Sequence, residues 1–176
     1  MKRFEARLLA ALTLLAAWLA PNAGPAMTIN IAGGGTQFIQ VGDVWHYLKG
    51  TADPSTPADA WTQLGFADDS WLSGPTGIGY DDGDDATVLT DMAGSYLTVY
   101  ARKLFSVPSV PADETLQLVI DYDDGFIAYL NGSEVARRHM PAGAATRTTA
   151  ATSHDAGTPE VISLGRAGDF LQEGNN

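Results

Sequence analysis

The stretch IDYDDGFIAYLNGSEVARR, residues 120–138, carries the two turn signals that decide the fold. Asn131-Gly132 separates two short apolar segments, and this dipeptide favours the type I′ turn of a β-hairpin because both turn residues need positive φ. Asp123-Asp124-Gly125 has the composition of a second tight reversal, in which carboxylates accept bonds from nearby N–H groups and the glycine takes a left-handed conformation. The stretch therefore predicts a three-stranded meander with two turns.

Short strand-like segments continue on both sides of this stretch. The 19 Gly and 9 Pro divide the chain into segments rich in β-branched and aromatic residues, and none has the pattern of a long amphipathic helix. Further strands are predicted in TQFIQVG (36–42), DVWHYL (43–48), SYLTVYARKLFSV (95–107), ETLQLVIDY (114–122), PEVISLG (159–165) and DFLQ (169–172). We expect an antiparallel β-sandwich of about eight strands. Its predicted interior includes Leu97, Val99, Phe105, Leu118, Ile120, Ala128 and Leu130.

Residues 1–26 have the pattern of a secretory signal peptide. Three basic residues, Lys2, Arg3 and Arg7, precede an apolar run of 13 residues from position 8 to position 20. Small residues then allow cleavage before Met27, with cleavage after Ala23 as the alternative. The run is shorter than the roughly 20 residues of a spanning helix. We therefore expect export without stable membrane insertion, to an extracellular, cell-surface or periplasmic location.

The charge and cysteine content restrict the classes of partner and fold. The formal net charge of −11 becomes −13 without residues 1–26, which contain three basic residues and one acidic residue. No Lys/Arg cluster is available to neutralise phosphates, which argues against a nucleic-acid partner. The chain has no cysteine, so no disulfide stabilises it despite the expected export. Stability must come from the hydrophobic core, aided by any bound ion.

A combination of motifs resembles one known family. The motifs are Phe66-Ala67-Asp68-Asp69-Ser70-Trp71, Gly77-Ile78-Gly79-Tyr80, Asp123-Asp124-Gly125, Tyr129-Leu130-Asn131-Gly132, Glu134-Val135 and the TSHDAG of residues 152–157. With them the chain resembles, over roughly residues 44–176, the galactose-binding-like jelly-roll domains of large secreted bacterial proteins. Such domains occur beside lamin-tail, spore-coat-kinase-like or phosphoesterase domains.

The resemblance implies a jelly-roll sandwich with an adhesive or carbohydrate-binding role. The expected organisation is a signal peptide (1–26), a lead-in strand or linker (27–43) and the sandwich domain (44–176), continuous with further C-terminal domains. In the family an apolar strand of the type Val-Leu-Ala-Ile follows the position of GNN (174–176). The resemblance thus implies a missing final strand, and we expect residues 27–176 alone to be marginally stable or to aggregate. The alternative is that TINIAGG (28–34) fills the gap.

An acidic loop is the candidate metal site. Asp81, Asp82, Asp84, Asp85 and Asp91 lie around one glycine, and the resembling family usually has Gly where Asp81 stands. Crowded carboxylates repel one another unless a cation neutralises them, and Ca²⁺ accepts six to eight oxygen ligands from a flexible loop. The twelfth position from the first aspartate is a methionine and no helices are predicted on either side, which argues against an EF-hand. Ca²⁺ binding and a solvated acidic loop remain as alternatives.

The Asp123-Asp124 pair has a plain and a sharper interpretation. The plain one is a turn between two strands. The sharper one comes from sugar-binding sandwich domains that resemble this chain, in which adjacent aspartates in a strained turn, joined by a cis peptide, hold Ca²⁺ and a sugar diol together. The pair is therefore the candidate ligand-binding site, with a glycan or another cell-surface polymer as the expected partner.

The sequence contains no catalytic constellation. His46, His139 and His154 have no metal-ligand spacing, and no serine lies in a nucleophile elbow. We expect a non-catalytic binding or adhesion module that forms the N-terminal part of a larger secreted protein. The alternative is a purely structural, Ca²⁺-stiffened spacer. A third and weaker hypothesis is an accessory domain of a hydrolase.

Overall fold

The computed structural model describes residues 27–80, 83 and 85–176, and this part of the chain is all-β. The strands are β1 (Met27–Ile31), β2 (Gln37–Ile39), β3 (Val44–Lys49), β4 (Leu72–Pro75), β5 (Ile78–Gly79), β6 (Thr87–Val88), β7 (Val99–Arg102), β8 (Ser106–Val107), β9 (Thr115–Ile120), β10 (Phe126–Leu130), β11 (Ser133–Arg138), β12 (Glu160–Arg166) and β13 (Gly174–Asn175). Single 3₁₀ turns occupy Ala60–Thr62 and Ala167–Asp169. The described residues contain no helix long and apolar enough to cross a membrane.

The strands form antiparallel sheets that face one another as a β-sandwich. One sheet has four strands in the order β12-β9-β1-β2, and a second has three in the order β4-β3-β7. The hairpin β10-β11 and the short pair β8-β13 are also antiparallel, whereas the two-residue strands β5 and β6 pair in parallel. The predicted antiparallel sandwich is therefore confirmed; its jelly-roll topology stays a prediction.

The core lies between the four-stranded sheet and the strands opposite it. Alternation in β9 turns Leu116, Leu118 and Ile120 to one side, where all three are buried. Trp45 of β3 and Leu130 of β10 belong to the same apolar cluster. Burial of these side chains supplies the main driving force for folding, in a chain that has no disulfide.

The opening stretch forms one of its two predicted turns. Asn131-Gly132 joins β10 to β11, and both residues have positive φ (51° and 85°), as a type I′ hairpin requires. The meander prediction is wrong, however, because β9 pairs with β1 and β12 and not with β10. The Asp123-Asp124-Gly125 segment instead carries the chain from one sheet to the opposite side of the core.

Gly125 is required for close approach and not for a left-handed conformation. Its φ is not positive, but a Cβ at this position would lie 2.8 Å from the carbonyl oxygen of Arg138 and 3.0 Å from the Cβ of both Ala151 and His139. A side chain here would therefore collide with the end of β11 and with the loop that follows it.

The predicted strand at 95–107 is divided in two. β7 ends at Arg102 and β8 begins at Ser106, so the interruption that Lys103 introduces in the alternation marks a real break. Leu97 precedes β7 in a bend and is 63% exposed, so its predicted place inside the core is wrong. Phe105, by contrast, is buried as predicted. The segment 169–172 is not a strand.

Three of the remaining predicted core residues, Leu118, Ile120 and Leu130, are buried, and Ala128 and Val99 are partly buried. The predicted lead-in region supplies β1 and β2, and β1 lies inside the four-stranded sheet between β9 and β2. The TINIAGG segment is thus used in that sheet. The predicted signal peptide lies outside the described residues.

The two leucines give a matched test of the core. We expect Leu118→Ala to lower the free energy of unfolding by about 2–5 kcal/mol, because it leaves a cavity between the sheets. Leu97→Ala should change it by less than about 0.5 kcal/mol, because the side chain already faces solvent. Chemical denaturation of both variants measures the difference. Equal losses would contradict the placement of either residue.

Candidate functional site

The acidic loop is only partly described. Asp81, Asp82 and Asp84 lie outside the described residues. Asp85 is half-buried against Gly79, where a Cβ would stand 2.6 Å from Asp85 Oδ2. The carboxylate of Asp91 accepts a bond of 2.8 Å from Lys49 Nζ and another of 3.0 Å from the Tyr96 hydroxyl. Asp91 is therefore engaged by protein groups, whereas calcium binding at Asp81–Asp85 stays a prediction.

The Asp123-Asp124 pair lies at one end of the sandwich. It follows the last residues of β9, and both aspartates are exposed to solvent. The peptide bond between them is cis. Asp124 Oδ1 accepts a bond of 3.2 Å from the backbone N–H of His154, so the pair is tied to the loop that precedes β12.

Two histidines lie beside the aspartates. The His154 ring stacks on the buried Tyr122 ring, with 4.3 Å between centroids and 12° between planes. The His139 ring lies 4.7 Å from that of His154, and its Nδ1 is 3.3 Å from the Thr152 hydroxyl. We call this surface the Asp rim; it consists of Asp121, Tyr122, Asp123, Asp124, His139 and His154.

The loop that precedes β12 is held against the Asp rim by specific hydrogen bonds. The N–H of Gly157 donates to Asp121 Oδ1 at 2.9 Å, and His154 Nδ1 lies 3.0 Å from the carbonyl oxygen of Tyr122. These bonds fix residues 154–157 against the end of β9. The TSHDAG motif therefore belongs to the same site as the Asp pair, although the two are about 30 residues apart in the sequence.

The ion pair between Arg138 and Glu160 lies beside Tyr122 of the Asp rim. The Tyr122 hydroxyl lies 3.2 Å from Glu160 Oε2, and Arg138 Nε donates to Glu160 Oε1 at 2.8 Å. Burial, and then the hydrogen bond to Glu160, raise the pKa of Tyr122 above its ordinary value of 10.0. Tyr122 is therefore neutral at physiological pH and acts as the platform on which His154 rests.

The histidines are the site residues that the sequence analysis missed. Their positions, 15 residues apart on separate segments, gave no ligand spacing. His139 has a φ of 55°, which turns the chain away from β11 and back toward Tyr122. The available signal was the occurrence of Asp123-Asp124-Gly125 and TSHDAG in the same family resemblance.

The large aromatic side chains pack against one another on another face. The Trp61 ring lies 5.2 Å from Tyr100 and 5.8 Å from Tyr129, in edge-to-face geometry, and 6.3 Å from Trp71. All four rings are partly buried. Because the rings contact each other, they do not form an open row on which sugars could stack.

His46 belongs to a partly buried ion network. Asp68, from the Phe66–Trp71 motif, lies with Oδ1 3.0 Å from His46 Nδ1 and accepts a bond of 2.8 Å from Arg102 Nε on Oδ2. Arg102 also donates to the backbone carbonyls of Trp61 and Gln63. The side chains of Arg102 and Asp68 are only 9% and 14% exposed. The network therefore fastens the 60–71 segment to β3 and β7.

The charge state of Asp68 follows from these bonds. Burial alone would raise the pKa of its carboxyl, but the bonds from Arg102 and His46 and their positive charges hold it below the ordinary 3.8. The stabilisation is therefore complete above pH 3.8 and is lost as the pH falls through the lower pKa of the folded protein. The arrangement therefore contributes to the stability of the fold.

No group of three or more His, Asp or Glu side chains within the described residues is arranged to hold a metal ion. Comparison of the chain with family models, with curated proteins and with solved structures gives no significant match. The geometry of the Asp rim is therefore the basis for assigning a function.

Two arginine variants test this ion network. We expect Arg102→Ala to cost about 1.5–3 kcal/mol of unfolding free energy, because it removes charge-assisted hydrogen bonds to the partly buried Asp68 carboxylate. Arg166→Ala removes an exposed pair with Asp113 and should cost at most about 1 kcal/mol.

Denaturation at neutral pH, and again at a pH well below 3.8 that lies under the lowered pKa of Asp68 in the folded protein, measures both effects. The cost of Arg102→Ala should shrink in acid, because protonation of Asp68 removes the charge in the parent protein as well. A cost that is independent of pH would show that Arg102 stabilises the fold by packing alone.

Proposed function

We propose that the chain is a non-catalytic extracellular binding module that holds a glycan or a similar cell-surface polymer at the Asp rim. The observation that carries this proposal is the grouping of Asp121, Asp123 and Asp124 with His139 and His154 at one exposed end of the sandwich. The predicted export and the acidic net charge of −11 are compatible with an extracellular, calcium-containing environment.

The proposed chemistry is a calcium ion shared between the protein and a sugar. Ca²⁺ prefers oxygen ligands and needs six to eight of them. Asp123 and Asp124 are exposed to solvent, and within the described residues no set of three acidic or histidine side chains, including Asp121 and the two neighbouring histidines, has the geometry of a preformed metal site. The pair alone therefore fits a weak ion site with open coordination positions. Vicinal hydroxyls of a sugar are suited to occupy such positions, so ion and glycan would bind together.

The neighbouring rings would supply shape and orientation. His154 and Tyr122 form a stacked platform beside the carboxylates, and His139 lies at its edge. Thr152 and the Tyr122 carbonyl already contact the Nδ1 atoms of His139 and His154, so their Nε2 atoms would be the polar groups offered to a ligand held by the aspartates. The rings around Trp61, by contrast, are occupied by contacts with one another. The alternative function is that of a structural spacer. The mutual packing of these aromatic rings is the observation that supports it.

Glycan binding with and without calcium is the direct test. We expect the chain to bind a subset of glycans on an array in millimolar Ca²⁺ and to lose binding in excess chelator. The double variant Asp123→Asn with Asp124→Asn should weaken binding by at least about tenfold, because neutral amides are poor calcium ligands.

Asp155→Asn is the matched control, since Asp155 is an exposed carboxylate in the same loop as His154. It should leave binding unchanged. Binding that survives both the chelator and the double variant would place the ligand elsewhere. Absence of binding by a folded chain, on every glycan and in both conditions, would favour the spacer.

Calcium stabilisation separates the two candidate ion sites. Saturating Ca²⁺ should raise the melting temperature, because only the folded chain gathers the ligands, and chelation should lower it. If the acidic loop holds the ion, Asp82→Asn with Asp84→Asn abolishes the shift. If the Asp rim holds it, Asp123→Asn with Asp124→Asn does so. A melting temperature that is the same in chelator and in millimolar Ca²⁺ would contradict both sites.

A further inference from the structure

An apolar cleft separates β7 from β10 on the side of the sandwich opposite the four-stranded sheet. It encloses a cavity of about 280 Å³. Val99 and Ala101 of β7 line one wall, and residues 126–130 of β10 line the other. Ile29 and Leu118 of the four-stranded sheet are also among its lining residues. We call this feature the strand cleft.

Both walls of the strand cleft are edges of β-structure. β7 is the last strand in the order β4-β3-β7, and β10 pairs with β11 on its other side. Among the described residues, neither β7 nor β10 has a β-strand partner on the side that faces the cleft. Such edges carry backbone N–H and C=O groups that are suited to pair with an additional strand.

Two buried polar atoms at the strand cleft have no hydrogen-bond partner within the described part of the chain. They are Trp45 Nε1, a donor, and Asn131 Oδ1, an acceptor. Both residues line the cleft. Buried polar atoms in folded proteins are nearly always satisfied. An extended backbone in the cleft would bring both a carbonyl and an N–H group close to these atoms.

Asn176 stands at the entrance of the strand cleft. It is 4% exposed and exchanges two backbone bonds with Phe105, of 3.1 and 2.9 Å. Its side chain accepts from Asn131 at 2.9 Å and donates to the carbonyl of Gln172 at 2.8 Å. The backbone is therefore held in β-type pairing at the point where it meets the lining of the cleft.

We propose that the strand cleft is the acceptor for one further β-strand, which is apolar on its inward side and is joined to the fold through Asn176. The strand pairs with β7 and β10 and unites β4-β3-β7 with β10-β11 in a single sheet. Its inward side chains fill the cavity; for comparison, an engineered cavity of about 150 Å³ accommodates benzene. Covalent attachment at Asn176 gives this strand an advantage over a free peptide of the same sequence.

Three extensions of the 176-residue chain beyond Asn176 test the proposal. Val-Thr-Val-Thr-Val and Thr-Val-Thr-Val-Thr place the apolar side chains in opposite registers, and Gly-Ser-Gly-Ser-Gly is the control. We expect one of the alternating extensions to raise the melting temperature by about 5 °C or more over the control. The other should raise it less, because a shift of one residue turns the valines away from the cavity.

If the chain with the Gly-Ser extension does not melt cooperatively, the test still applies. One of the two alternating extensions should then restore a cooperative transition. Equal behaviour of all three extended chains, folded or not, would overturn the proposal.

An obstruction inside the cleft provides the second measurement. Ala128 lines the wall formed by β10, and Val161 on β12 is exposed and does not line the cleft. Ala128→Asp is introduced both into the stabilised extended chain and into the Gly-Ser chain. With this substitution the two chains should no longer differ in melting temperature. Val161→Asp should leave the gain of the extended chain intact. A gain that survives Ala128→Asp would place the added strand elsewhere.

Size-exclusion chromatography of the unextended chain tests a different source for the strand. A dimer that forms with rising concentration, and that disappears with Ala128→Asp but persists with Val161→Asp, would show that a second copy occupies the cleft. That result, combined with alternating extensions that add no stability, would overturn the attachment through Asn176.

Discussion

Burial of the inward face of β9 is the interaction on which the sandwich depends. β9 lies between β1 and β12, and the side chains of Leu116 and Leu118 are fully buried. β1 and β12 form hydrogen bonds with its two edges, and the opposite layer of the sandwich packs against its side chains. Because the chain has no disulfide, few other interactions could compensate for loosening this strand. The position of β9 also determines where the residues that follow it, Tyr122 to Asp124, are placed.

The Asp rim follows directly from the way the chain leaves β9. Tyr122 stays buried, so the chain must turn immediately after it, and the next two residues are forced to the surface at the end of the sandwich. Gly125 then passes so close to the end of β11 that no side chain fits. The aspartates are thus exposed because their neighbours on both sides are constrained by packing.

Local sequence signals predicted the features that local physics controls. The Asn131-Gly132 turn was predictable because positive φ is a property of the two residues themselves, and the core face of β9 was predictable from alternation. The pairing of β9 with β10 was predicted wrongly, because a tight Asp-Gly segment can lead either to the neighbouring strand of the same sheet or across to the opposite sheet. Leu97 was wrongly placed in the core because the alternation of apolar residues extends to positions before the start of β7, where the chain bends toward solvent.

The site was predictable only in part for the same reason. The Asp pair stands out in the sequence, but the histidines reach it through a positive φ at residue 139 and a long loop, neither of which has a periodic signature. His46 looked equivalent to them and is instead held in the ion network of Asp68. Residue type alone could not distinguish a histidine at the rim from one in that network; the tertiary contacts do.

The strand cleft and the Asp rim are linked through β10. This strand begins at Phe126, one residue after Gly125, and its length forms one wall of the cleft. A strand seated in the cleft would fix β10 along its second edge and would thereby hold the start of β10 in place. Phe126 packs edge-to-face on Tyr122, with 4.8 Å between ring centroids, and Tyr122 carries the His154 ring. Filling the cleft therefore restrains the platform on which the proposed ligand would rest, so order in the sheet and order at the rim depend on the same strand.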